Sequence, residues 1–315
     1  MDTRALGRSG LQVSSVGLGT NYVGGYGLYA NIDEAEGIRL VQKALDLGIN
    51  FIDTADIYGF GRSEELVGQA IAGRRDEVIL ATKGANAFTG TAGAGARTGV
   101  NNEPKYLRSA LEASLRRLNT DYVDLYYIHR HDDCTPAEES YGELMRMKDE
   151  GLIRAGGVSN FEPAHIRAAL QAGPVDALQS CYNLLERKVE AEVLSLCDEN
   201  GIGFVPWGPL AYGLLGGRYE ANFVLPEGDW RQRTGLFDGD AYKTALQVTN
   251  ALKSIGKPDG TPPAHLATQW LLHQTAVCSV IAGAKTTEQV EQNAAAVSAI
   301  LRREDAAKVS ALTSA

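Results

Sequence analysis

The chain has 315 residues, 44% of them hydrophobic and 22% charged, with a formal net charge of −9. That composition can bury a large core, and the length suits a single α/β barrel with insertions. The acidic balance excludes nucleic acid and an anionic membrane face as principal partners, and no run of 18 uncharged apolar residues exists to span a bilayer.

In chain order, ALGRSGLQV (residues 5–13) reads as a small hairpin turning at Ser9-Gly10, placed to plug a barrel floor. Eight β-rich runs follow: Val13–Thr20, Asn50–Asp56, Val78–Lys83, Tyr122–His129, Ile153–Asn160, Ala177–Asn183, Gly203–Gly208 and Ser279–Gly283. Helical patterns lie between them. In residues 33–48, Ile38, Val41, Ala44 and Leu45 recur at helical spacing. Residues 103–119 and 261–274 behave alike, the former with Pro104 in its first turn and a basic end. Apolar runs without alternation predict strands covered on both faces. Eight such units predict a (β/α)8 TIM barrel, an α/β fold with an N-terminal hairpin, as one domain over 1–315. Two long loops, Ala85–Asn102 and Pro209–Asp240, are expected at the C-terminal mouth. The second holds Gly213, Gly216, Gly217, Tyr219, Phe223 and Trp230.

Asp53, Tyr58, Lys83 and His129 each fall at or just past the end of a predicted strand, on the barrel face where catalytic groups collect. Together they suit carbonyl chemistry. A free tyrosine titrates near 10, and a neighbouring Lys83 ammonium, held by Asp53, is expected to lower that value. Tyr58 then serves as general acid toward a developing alkoxide and as base in reverse, while His129 donates to the same oxygen. None of the four is a nucleophile with its own activating base, so a hydride-supplying cofactor is implied.

The nearest match to a dinucleotide fingerprint, Gly25-Tyr26-Gly27-Leu28-Tyr29-Ala30, runs into NIDE rather than an apolar helix and reads as a first loop. A phosphate site is expected instead at residues 280–293, where Gly283, Lys285, Thr286 and Thr287 open a helix. His129, His131, Asp132 and Asp133 resemble a metal cluster but lack a third ligand group at recognisable spacing, so no metal is expected. His165, His265 and His273 read as surface or interface residues. The cysteines (Cys134, Cys181, Cys197, Cys278) form no C-x-x-C pair and read as buried thiols in a reducing compartment. With no apolar core of signal-peptide length at the N-terminus, a cytoplasmic location is expected. Tyr22, Tyr26, Tyr29, Phe88 and the two long loops are expected to build the substrate pocket. Asn21, Asn86 and Arg130 tilt it toward hydroxylated substrates. Oligomeric state is not legible.

These motifs resemble the aldo-keto reductase superfamily. The likeness rests on GLGT (17–20), Asp53 to Gly59, ATKG (81–84), DLYYIHRHD (124–132), GVSNF (157–161), PWGPLAYGLLGGRY (206–219) and GAKTTEQVEQN (283–293), and spans nearly the whole chain. GRSEELVG (61–68), LNTDYVDLYYIH (118–129) and YNLLER (182–187) are similar to bacterial inositol-operon and general-stress reductases. The resemblance implies the tetrad in the roles above and an NADP(H) cofactor bordered by Gly19, Thr20 and Asp53. It implies that Ser159, Asn160 and Gln179 hold the carboxamide and Trp207 stacks on the nicotinamide. Leu210 and Gly213 would follow the pyrophosphate, with Gly283, Lys285, Gln289, Gln292 and Asn293 at the adenosine end. Two positions depart from the family pattern. Gln289 stands where many NADPH-committed members have arginine, and Gln292 where members have glutamate. Lys285 remains a point charge for a 2′-phosphate, so NADP(H) is expected over a possible NAD(H).

The expected activity is interconversion of a small-molecule carbonyl (aldehyde, ketone or sugar-like) and its alcohol. Two alternatives stand beside it: a cofactor-binding sensor or scaffold with negligible turnover, and a lyase using Lys83 as a Schiff-base amine.

Overall fold

Strands covered on both faces carry no polar alternation, and Val123–Ile128 is buried at every position. The computed structural model describes residues 1–25, 32–89 and 97–313. Its strands are β1 (Thr3–Ala5), β2 (Gln12–Ser14), β3 (Val16–Gly19), β4 (Phe51–Asp53), β5 (Ile79–Gly84), β6 (Asn86–Thr89), β7 (Arg97–Val100), β8 (Val123–Ile128), β9 (Ile153–Ser159), β10 (Ala177–Cys181), β11 (Gly203–Trp207) and β12 (Val280–Gly283). Eight of them close a parallel barrel in the order β3-β4-β5-β8-β9-β10-β11-β12. These are the eight runs expected from sequence; most are trimmed at one or both ends, and β5 reaches one residue further, to Gly84.

The helices are α1 (Glu34–Asp46), α2 (Arg62–Ala70), α3 (Pro104–Leu118), α4 (Ala137–Asp149), α5 (Pro163–Ala172), α6 (Val193–Asn200), α7 (Gly239–Gly256), α8 (Pro263–Leu272), α9 (Thr287–Ala295) and α10 (Arg303–Ala311). Local signals explain their limits. Asp33 caps α1 by accepting from the Glu36 amide, while Leu40, Val41, Ala44 and Leu45 form its buried stripe. Pro104 opens α3, and Asn119 ends it in a left-handed conformation. No helix among the described residues is long and apolar enough to cross a membrane.

The expected hairpin is present. β1 pairs antiparallel with β2, and Gly10 takes a positive φ in the turn between them. Leu6 and Val13, both fully buried, join Phe51, Ala81, Leu125, Tyr127, Ala155, Ala177, Val205, Cys278 and Ile281 in the barrel's inner cluster. The hairpin therefore plugs the floor. Higher up, Tyr127 reaches across the space left by Gly157, where an added Cβ would come within 2.6 Å of its ring. Within the expected loop Ala85–Asn102, the described residues include two strands, β6 pairing antiparallel with β7. The second long loop carries two short 3-10 turns, Ala211–Gly216 and Trp230–Thr234.

Candidate active site

Parallel strands deliver their last residues to one rim, and three of the expected groups arrive that way. Asp53 ends β4, Lys83 lies at the end of β5, and His129 follows β8 directly. Tyr58 enters from the turn after β4. Glycine must follow it, since Gly59 has φ +58° and an added Cβ would sit 1.8 Å from the Gly24 carbonyl oxygen. Lys83 Nζ donates to Asp53 Oδ1 at 2.5 Å, to the Thr54 carbonyl at 2.9 Å and to Tyr58 Oη at 3.5 Å. Gln179 Nε2 donates to Asp53 Oδ2 at 2.8 Å. The Tyr58 and His129 rings meet edge to face, with centroids 6.1 Å apart.

Lys83 and Asp53 are almost fully buried, and losing either partner of such a pair costs about 3–5 kcal/mol because the other is left uncompensated. Burial alone would favour a neutral Lys83 amine. Asp53 and Tyr58 overcome it and hold the ammonium pKa above its ordinary value. At Tyr58 the balance differs from the expectation: burial raises the phenol above 10 and outweighs the opposing pull of Lys83. Burial, then Lys83 and Arg130, push His129 well below the usual imidazole range, so its ring is neutral.

The residues singled out for a dinucleotide fall into two groups. Around the tetrad, Asn160 has φ +56°, and its Nδ2 donates to Ser159 Oγ (2.9 Å) and to the His129 carbonyl (3.2 Å). Trp207 Nε1 donates to Asn160 Oδ1 at 3.0 Å. Ser159, Asn160, Gln179 and Trp207 thus border the rim beside His129 and Asp53. Leu210 packs on the core, and Gly213 turns with φ +96°. Thr20 is fully buried, and its hydroxyl engages the Asp53 carbonyl and Ser63, so it fixes the strand end from inside. Gly19 faces Ile281, which an added Cβ would approach to 2.9 Å.

Further out, Thr286 caps α9 through the Gln289 amide, and Gln289 Oε1 accepts from the Lys285 amide at 2.7 Å. Thr287 N–H donates to Glu36 Oε1 at 3.3 Å. These amides already have protein acceptors, so the helix start is a weaker anion site than its sequence suggested. Asn293 Nδ2 donates to the Gly283 carbonyl at 3.3 Å, and Gln292 lies against His265. The missing positive charge comes from elsewhere. Arg218 Nη2 and Arg231 Nη1 both donate to Tyr219 Oη, at 2.9 and 2.8 Å, and Arg231 pairs with Asp229. Lys285 is close enough for both guanidinium groups to add to burial in lowering its pKa. Three cations against one carboxylate suit a phosphate ester. Sequence reasoning named only Lys285; the signal it passed over was two arginines in a glycine-rich loop.

Among the pocket residues, Tyr22 lies under Lys285, with Nζ 5.8 Å from its ring centroid, and Phe88 meets Phe60 edge to face at 5.4 Å. Arg130 is exposed. Tyr26 and Tyr29, with most of the fingerprint-like stretch, lie outside the described residues. His165, expected at the surface or an interface, stacks on His131 at 3.9 Å, with Asp133 alongside, which supplies the third group the sequence did not reveal. The ring planes differ by only 16°, so their lone pairs run alongside each other, and His131 Nδ1 already accepts from the Asp133 amide. His265, expected at the surface or an interface, is buried. Cys197 and Cys278 are buried as expected, whereas Cys134 is exposed and Cys181 half-buried, its thiol donating to Glu186.

A family model described as Aldo/keto reductase family matches residues 15–314. The chain is 36% identical to Aldo-keto reductase YhdN of Bacillus subtilis (strain 168) over 300 residues, covering 92% of this chain and 87% of that protein. It is 34% identical to Aldo-keto reductase yakc [NADP(+)] of Schizosaccharomyces pombe over 299 residues, covering 92% and 85%. Among solved structures, the glycerol dehydrogenase AKR11B4 from Gluconobacter oxydans superposes with a TM-score of 0.92 at 32% identity, covering 99% of this chain and 94% of that one.

Proposed function

The chain belongs to the aldo/keto reductase family, and from that premise we propose an NADP(H)-dependent oxidoreductase that interconverts a small carbonyl compound and its alcohol. The observation that carries this reading is the Asp53–Lys83–Tyr58 chain of contacts with His129 across from the phenol. A nicotinamide, when bound, would supply or accept the hydride. Tyr58 gives its phenolic proton to the oxygen as negative charge develops there. The Lys83 ammonium, neutralised by Asp53, stabilises the phenolate left behind. His129 donates a hydrogen bond to the same oxygen and orients it. Gln179, Ser159 and Asn160 offer amide and hydroxyl groups to a carboxamide, and Trp207 offers a ring face. The Arg218, Arg231 and Lys285 cluster suits the 2′-phosphate of NADP(H), which agrees with the NADP(+) in the name of the yeast relative. The likeness to a glycerol dehydrogenase supports small hydroxylated substrates.

The test is NADPH oxidation with a reactive aromatic aldehyde, and NADP+ reduction with glycerol and related polyols, in wild type and Tyr58→Phe. Turnover in wild type that falls by about 10² or more in the variant is expected from loss of the general acid. Cofactor binding without turnover on any carbonyl would favour a sensor, and borohydride trapping of a substrate on Lys83 would favour a lyase.

A further inference from the structure

Asn86 lies at the start of β6, separated from the end of β5 by Ala85 alone, and its side-chain Nδ2 is 2.8 Å from His129 Nδ1. We propose that Asn86 is the positioning residue of His129. Its amide donates to Nδ1, fixes the neutral ring as the Nε2–H tautomer, and leaves that N–H for the reacting oxygen. This inference rests on the oxidoreductase reading above.

A neutral imidazole has one donor and one acceptor nitrogen, and the partner of one nitrogen decides the state of the other. An amide NH2 can only donate, so Nδ1 facing it must accept and the proton must sit on Nε2. A carbonyl oxygen accepts hydrogen bonds, so a ring of the other tautomer would present a lone pair to it and oppose the charge that develops there. The charged groups acting on the imidazole, Lys83 and Arg130, are cations. They disfavour a second proton, so the ring must be a neutral donor and its tautomer matters.

The surroundings hold Asn86 in this role. Ala85, fully buried, turns the chain with φ +94°, a strained conformation for a residue with a side chain. Its carbonyl accepts from the Asn101 amide at 2.9 Å, and the Asn86 carbonyl accepts from Tyr106 Oη at 3.1 Å. His129 is fixed in turn, since its amide donates to the Gly84 carbonyl at 2.8 Å and its own carbonyl accepts from Asn160. The strain thus sits at the residue that aims the amide.

Side-chain 15N spectroscopy of His129, at about pH 8.5 so that a free imidazole would be neutral, reads the tautomer without any need for turnover. The wild type is expected to carry its proton on Nε2; a proton on Nδ1 would overturn the proposal. In kinetics, Asn86→Leu should lower kcat about tenfold, the worth of one neutral hydrogen bond, with the KM for NADPH unchanged. Asn86→Asp, which can only accept, should invert the tautomer in the spectrum. It should lower kcat about a hundredfold at the same pH, comparable to loss of an oxyanion donor, and recover as acid adds the second proton. An Asn86→Leu enzyme with wild-type kcat would also overturn it. A wild type inert toward every carbonyl but showing the Nε2–H tautomer would sink the oxidoreductase reading while upholding the Asn86 contact.

Discussion

At Tyr58, burial and a neighbouring cation act on one oxygen in opposite directions, and burial prevails. The phenol therefore keeps its proton at rest, which is the state needed to reduce a carbonyl. Asp53, Lys83 and His129 were legible because a strand end is a fixed address in a barrel. The charge balance at Tyr58 was not, because it depends on how much protein closes over the ring. His129 makes the same physics measurable through stability. Its folded pKa lies below the ordinary value, so the unfolded chain binds the proton more readily. The stabilising contribution is complete above about pH 6.5 and falls as pH drops through the window beneath it. Denaturant melts at about pH 7 and pH 5 should show wild type losing up to about 2 kcal/mol more than His129→Gln. Equal losses in both would assign the acid sensitivity to other groups.

Elements that contribute two strands or one loop were harder to read than elements of the barrel. Among the described residues β6 and β7 pair only with each other, and the Gly- and Thr-rich segment that contains them shows no hydrophobic face to set a register. The Pro209–Asp240 loop hides its main feature for another reason. Arg218 and Arg231 are separated along the chain and meet only because Tyr219 offers one hydroxyl to both. Gln289, where an arginine was missed, is occupied instead with capping the Lys285 amide. The loop thus carries positive charge that α9 lacks. Arg231→Ala should raise the KM for NADPH by about ten- to a hundredfold, the worth of one or two charge-assisted hydrogen bonds, with little change for NADH. An equal rise for both cofactors would move the cluster from the 2′-phosphate to the pyrophosphate, and no rise for either would remove it from the cofactor altogether.

The barrel as a whole was legible because eight apolar runs alternating with amphipathic helices admit few closed arrangements. The floor was legible for a related reason: an open barrel end exposes its inner cluster, and the short hairpin preceding the first run is close enough to cover it. Its attachment rests on polar contacts that no periodicity announces. Arg4 Nη1 donates to the Leu272 and Val277 carbonyls, and Ser14 N–H donates to Asn50 Oδ1. With those contacts holding the hairpin in place, Leu6 cannot be replaced by neighbouring chain when it is truncated, and the inner cluster cannot collapse toward it. Leu6→Ala should therefore cost about 2–5 kcal/mol in denaturant unfolding, at the level of other rigid core cavities. Val224→Ser, at a position 81% exposed, should stay within about 0.5 kcal/mol of wild type. Because the tetrad lies at the opposite end of the strands, Leu6→Ala assayed well below its melting temperature should keep the wild-type kcat. A stability change as small as that of Val224→Ser would mean the hairpin covers the floor without sealing it, and a matching fall in kcat would mean that the floor also sets the geometry of the rim.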